Sequence, residues 1–83
     1  MEIFSVTYVA DGVEHTRSMN GNELAKLYGF SDCTDVDILE VYEIVNGRKI
    51  RCEIWGSCYA PYNVIYVHRF GNYEPYEYEW PEH

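Results

Sequence analysis

Residues 73–83, Tyr-Glu-Pro-Tyr-Glu-Tyr-Glu-Trp-Pro-Glu-His, alternate aromatic rings with carboxylates and contain no Lys or Arg. In an extended segment, successive side chains point to opposite sides. Tyr76, Tyr78 and Trp80 would then share one face, and Glu77 and Glu79 the other. The ring face suits docking on apolar protein surface, while the acid face offers negative charge. A second acidic run, Asp32, Asp35, Asp37, Glu40 and Glu43, lies in mid-chain, and Glu74 and Glu82 extend the C-terminal one. Asp35, Asp37 and Glu43 fall at even spacing, so a strand would display them in a row at intervals of about 6.6 Å. Phosphates along one DNA strand have a comparable repeat. The chemistry these residues could do is recognition of cations. Taken alone, either run reads as a solvated acidic surface; two runs beside a docked aromatic strip make interaction a more competitive reading.

Other reactive residue types are present without the spacing that chemistry needs. Cys33, Cys52, Cys58 and His68 could each bind zinc, but structural zinc sites take ligands in close pairs, and these lie nineteen, six and ten positions apart. Neither a metal nor a cofactor is expected. A Cys–His nucleophile pair would need a thiolate stabilised by positive surroundings. Cys58 with His68 is the one couple to consider, and Cys58 sits among tyrosines. No GxGxxG, P-loop or HExxH pattern occurs. The acids allow many acid/base pairs, yet no neighbouring motif marks one out. The chain reads as a non-enzyme, with a small carboxylate hydrolase as a rival.

Composition narrows the class of partner. Fourteen acids against six bases give a formal net charge of −8 over 83 residues, and nine tyrosines help bring aromatics to 17%. Such a chain repels nucleic acid phosphates and anionic lipid headgroups. Direct nucleic acid binding and membrane binding are therefore not expected, and basic protein surfaces are. The apolar stretches fall well short of the ~20 residues that a membrane span requires. Met1-Glu2 opens acidic with no leader pattern after it, and three cysteines are an odd set. A cytoplasmic setting with reduced thiols is the expectation.

The elements that must position these residues are legible from period and turn chemistry. Residues 3–10 alternate Phe4, Val6 and Tyr8 with Ser5 and Thr7, and Asp11-Gly12 marks a hairpin. A two-residue turn places Val6 opposite Arg17 and Tyr8 opposite His15; a bulged turn would shift this by one. Asn20 three residues before Glu23 matches a capping box, with Met19 and Leu24 as a hydrophobic staple. Leu24, Leu27 and Tyr28 fall on one helical face, and Gly29 is placed to end the helix in a left-handed conformation. Residues 36–45 form the clearest strand, closed by Asn46-Gly47 and answered by residues 48–55. A two-residue turn there would put Val41 opposite Cys52 and Leu39 opposite Ile54 on the helix-facing side. It would put Tyr42 opposite Arg51 and Ile38 opposite Trp55 on the other, which is half apolar and expected to be partly covered. Residues 64–69 make a fifth strand, and the tail could add an edge strand, which Pro75 and Pro81 permit only at a boundary or on the solvent side. The expected fold is α+β, one compact domain over residues 1–83: a largely antiparallel sheet of about five strands built from two hairpins, with one short helix on one face.

The order Tyr8-Val9-Ala10-Asp11-Gly12, Asn20-Gly21-Asn22-Glu23-Leu24 and Val41-Tyr42-Glu43-Ile44-Val45-Asn46-Gly47-Arg48, followed by the acidic aromatic tail, resembles the small acidic proteins of bacteriophages and mobile elements. Those proteins include anti-CRISPR and anti-restriction inhibitors. The resemblance covers most of the chain in size, charge and hairpin–helix–hairpin order, and it carries no diagnostic motif. It implies an inhibitor in a host bacterial cell that imitates nucleic acid charge and occludes a basic, nucleic-acid-binding surface of a defence protein. In that reading Asp32, Asp35, Asp37, Glu40, Glu43, Glu74, Glu77 and Glu79 supply charge, and Tyr76, Tyr78 and Trp80 supply anchors. The alternative is a structural or adaptor protein that homodimerises, or binds a protein partner, through the same aromatic strip.

Overall fold

The computed structural model of the chain describes residues 1–31, 36–56, 63–72 and 74–79. Strands β1 (Ile3–Ala10) and β2 (Val13–Asn20) form the first hairpin, and helix α1 (Gly21–Ser31) follows. Then come β3 (Val36–Val45), β4 (Arg48–Gly56), β5 (Val64–Arg69) and β6 (Tyr76–Glu79). The strands lie in one sheet in the order β2-β1-β3-β4-β5-β6, each antiparallel to its neighbours. The α+β reading holds, with six strands among the described residues where about five were expected. The additional strand is the tail. It begins immediately after Pro75, so the missing proline N–H falls outside the ladder.

Turn chemistry sets the registers. Asp11-Gly12 and Asn46-Gly47 all adopt positive φ, 52° and 77° in the first turn and 51° and 78° in the second. Two consecutive left-handed residues match the right-handed twist of the flanking strands. Val6 accordingly faces Arg17 and Tyr8 faces His15, while Val41 faces Cys52 and Tyr42 faces Arg51. The two-residue registers are therefore the ones adopted, which resolves what the sequence left open.

β3 departs from simple alternation. Thr7 pairs with Glu40 but Tyr8 pairs with Ile38, so Leu39 is an extra residue between them. The bulge reverses the phase of β3. Val36 and Ile38 lie on the same side as Val41 and Glu43, while Leu39 is 48% exposed. The expected placing of Leu39 on the helix side is thereby corrected. The β3–β4 ladder runs from Val45↔Arg48 to Val41↔Cys52. The expected Leu39–Ile54 and Ile38–Trp55 pairs lie beyond it and do not form.

The helix starts as its sequence requires. Asn20 Oδ1 accepts the Glu23 N–H at 2.8 Å, and Glu23 Oε1 accepts the Asn20 N–H at 3.1 Å, which satisfies two otherwise orphaned donors. Leu24 and Ala25 are fully buried, and Met19 packs with them in the same core. The expected stop at Gly29 is not observed, since α1 continues two residues to Ser31. Glycine permits a left-handed cap without imposing one.

The sheet is strongly curled. Phe4 on β1 is fully buried, with ring centroids 6.4 Å from Tyr76 and 5.8 Å from Tyr78 on β6, both edge-on. In a flat sheet, the four strand spacings from β1 to β6 would hold them roughly 19 Å apart. The inner face therefore closes around Phe4, Val6, Val41, Ile65 and Val67 as an open barrel, with α1 filling the gap between its edges. Two glycines allow the closest approaches. A Cβ on Gly21 would overlap the Tyr78 ring, and one on Gly56 would overlap the Tyr28 ring. Gly→Ala near a helix start normally stabilises by about 0.5–1 kcal/mol. Gly21→Ala is instead expected to destabilise by about 1–3 kcal/mol through overpacking, read from urea denaturation midpoints. A gain in stability would show that Tyr78 does not pack against this position.

Candidate functional site

The inner face holds a polar cluster that ties β6 down. Glu43 on β3 is 4% exposed. Its Oε1 lies 2.8 Å from Arg69 Nε, and its Oε2 accepts the Tyr76 hydroxyl at 3.2 Å. Arg69 Nη2 also donates to the Tyr76 oxygen at 3.4 Å. The Tyr78 hydroxyl donates to Glu2 Oε1. Burial, and then the neighbouring carboxylate, raise both phenols above the ordinary tyrosine range: Glu43 acts on Tyr76 and Glu2 on Tyr78. Both phenols thus stay neutral donors, to buried Glu43 and half-buried Glu2, while the bond to Glu43 holds Arg69 more firmly protonated.

This arrangement corrects part of the expected binding set. Glu43 does not extend a displayed row with Asp37, because it faces inward in phase with Val41 while the bulge at Leu39 leaves Asp37 facing out. Tyr76 and Tyr78 dock as an apolar strip, but on the protein's own core, so their rings do not project as anchors for a partner. Asp32, Asp35 and Trp80 lie outside the described residues, as do Cys33 and Cys58. Glu74 is exposed beside Pro75, its N–H bonded to Asn72 Oδ1 at 3.2 Å.

The outer face of the sheet collects the charge. Strand partners share a face, so the registers place Glu14, Asp37, Glu40, Glu53, Glu77 and Glu79 there, six of the eleven described carboxylates. The Lys and Arg side chains on the same face are Lys49 and Arg51. Both are held by rings of this chain. Arg51 lies 5.5 Å from the Tyr42 centroid and 5.7 Å from that of Phe70, with Nη1 3.9 Å from Glu40, and Lys49 lies 5.7 Å above Tyr42. Among the described residues, no helix or strand covers this face. Val64 and His68, on the same face, are nevertheless buried.

A second aromatic group stands on the outer face of β4 and β5. Trp55 is 60% exposed and sits directly opposite Tyr66, which is 36% exposed. Glu77 is the partner of Tyr66 on the next strand, completing a row of ring, ring and carboxylate. Trp55 Nε1 donates to Glu53 Oε2 at 3.4 Å, and the His68 ring stacks against the indole at 6.3 Å and 27°. His68 Nε2 lies 3.4 Å from the same Glu53 oxygen. Sequence reasoning about the tail passed over Trp55 and Tyr66. The signal that finds them is the alternation of Arg51, Glu53 and Trp55 on one strand beside Tyr66 and His68 on the next.

Where β3 and β4 part beyond Val41 and Cys52, a cleft of about 500 Å³ opens, lined by Leu39, Glu40, Arg51, Glu53, Trp55 and Phe70 among others. Its two carboxylates are engaged with Arg51 and with Trp55 and His68. Among the described residues, no group of three or more His, Cys, Asp or Glu is placed to hold a metal ion. Burial raises the Cys52 thiol above its ordinary range, and it behaves as a small core side chain. No helix of the described residues is long and apolar enough to cross a membrane. Comparison with protein-family models, curated proteins and solved structures yields no match to this chain.

Proposed function

We propose that this protein is a non-enzymatic inhibitor that lays the outer face of its sheet against a basic, nucleic-acid-binding surface of a host defence protein, such as a CRISPR effector or restriction enzyme. The observation that carries the reading is the composition of that face. Glu53, Glu77 and Glu79 flank the exposed rings of Trp55 and Tyr66, and Glu14, Asp37 and Glu40 continue the charge across the same face of the sheet. Exposed Trp and Tyr bury large area with little loss of side-chain freedom. Like-signed carboxylates steer an oppositely charged surface into contact and exclude nucleic acid from it. Occlusion of this kind needs no turnover and fits the small acidic inhibitors that the chain resembles. Phage or mobile-element origin and action in the bacterial cytoplasm belong to the same proposal.

The test compares the parent chain with the E53Q/E77Q/E79Q variant as bait for bacterial nucleic-acid-handling proteins, with duplex DNA as competitor. The expected result is capture that DNA displaces, and an affinity loss of about tenfold at low salt that shrinks toward twofold at high salt. Unchanged affinity at low salt would show that these acids serve solubility and would remove the proposal. The same exposed rings would also suit pairing with a second copy. Light scattering that gives a dimer mass, together with an absence of DNA-competed capture, would favour that reading.

A further inference from the structure

We infer that the row Trp55–Tyr66–Glu77 is a seat for an arginine side chain of the protein partner, the guanidinium lying on the exposed rings and pairing with Glu77 or Glu53. The inference rests on the proposed binding role of the outer face and names the chemistry that this face recognises.

The chain carries its own precedent on the same face, four residues earlier along β4. Arg51 lies between the Tyr42 and Phe70 rings, and its guanidinium approaches the Glu40 carboxylate. Two rings and a carboxylate on neighbouring strands thus already hold one guanidinium on this face. The same grouping recurs at β4–β6, with Trp55 opposite Tyr66 and Tyr66 opposite Glu77. Here the rings are solvent-facing, and Trp gives the strongest cation–π partner of the three aromatic types. The indole is also positioned in advance. Its N–H is directed at Glu53 and one face is backed by His68, which fixes the plane on which a guanidinium would lie. Glu79, two residues from Glu77 on the same side of β6, adds charge next to the row.

Arginine fits better than lysine on physical grounds. Its planar fork can stack on a ring and reach a carboxylate at once, whereas an ammonium acts as a compact, strongly hydrated point charge. The occupant is therefore an arginine-bearing protein surface, the type of surface that grips nucleic acid backbones. A nucleic acid would meet only like charge at this position.

The probes are hexa-arginine, hexa-lysine and hexa-citrulline, the last keeping the side-chain shape without its charge. Binding is followed by the Trp55 indole N–H and the Tyr66 and Glu77 amides in heteronuclear NMR titrations of the full chain. Hexa-arginine should shift these three signals first, bind at least threefold more tightly than hexa-lysine, and leave hexa-citrulline without effect. Trp55→Ala should weaken hexa-arginine binding about fivefold, and Trp55→Phe should recover part of that loss. Glu14→Gln, on the same face at the opposite edge, should change it by less than about twofold. Equal affinity for both cationic peptides, shifts spread evenly over all outer-face acids, or full affinity in W55A would each overturn the inference. The outcomes also separate it from the function proposed above. Arginine seating at Trp55 without DNA-competed capture keeps the seat and removes the inhibitor reading; DNA-competed capture that W55A leaves intact does the reverse.

Discussion

Ending the chain after Asn72 is expected to abolish cooperative folding at 37 °C. The truncation removes β6 and its ladder with β5, in which Val64 to Val67 pair with Glu79 to Tyr76. It also removes the two rings that pack edge-on against Phe4. Full truncation of a buried aromatic side chain costs about 3–5 kcal/mol; because both tyrosines are half-buried, roughly 4–6 kcal/mol for the pair is a fair magnitude. Stability of a native domain is only about 5–15 kcal/mol. Glu43 would in addition lose its phenol donor, leaving a buried carboxylate with Arg69 alone. Near-ultraviolet circular dichroism and thermal melts check the outcome. A truncated chain that melts cooperatively within a few degrees of the parent would show that β6 is peripheral. The milder Y76F/Y78F pair keeps the rings and removes the hydroxyls, isolating the hydrogen bonds to Glu43 and Glu2.

Phe4→Ala carries the second large effect. This ring is fully buried at the axis of the curl and is among the largest side chains so enclosed. Its removal should cost about 3–5 kcal/mol, transfer and cavity terms combined. Each kcal/mol lowers Tm by about 4–8 °C in a domain of this size, so a fall on the order of 15–30 °C is expected by calorimetry. Phe4→Leu should lie between the two. Because Phe4 touches Tyr76 and Tyr78 directly, its effect and theirs should not add, and a double-mutant cycle should show coupling of about 0.5–3 kcal/mol. Strict additivity would mean that the rings do not share one core.

Local chemistry accounts for what could be read from the chain before its structure. Asn-Gly and Asp-Gly mark turns through left-handed backbone, but the sequence left a two-residue and a bulged turn both open; the paired positive φ angles decide for Val41–Cys52 and Tyr8–His15. The cap at Asn20 and Glu23 was equally local. The bulge at Leu39 was not, because no residue there requires it; it arises from fitting β3 to β1 in a curled sheet. That single misphase put Asp37 on the opposite face from Glu43 and broke the expected acidic row. The tail's alternation correctly separated Tyr76 and Tyr78 from Glu77 and Glu79, but alternation alone does not say whether rings face one's own core or a partner. Trp55 and Tyr66 were hidden for a related reason. Their juxtaposition depends on β4–β5 pairing across a connection without hairpin turn chemistry.

The bond between Tyr78 and Glu2 spans 76 positions of sequence. During translation, the first seventy-two residues emerge with Phe4 still lacking its aromatic lid. Closure of the barrel must wait for residues 76–79 to leave the ribosome, and long-range pairing of this sort slows the final step. The nascent chain therefore passes through an interval with an open apolar seam, in which the acidic charge of the outer face supplies colloidal protection before the native contacts can.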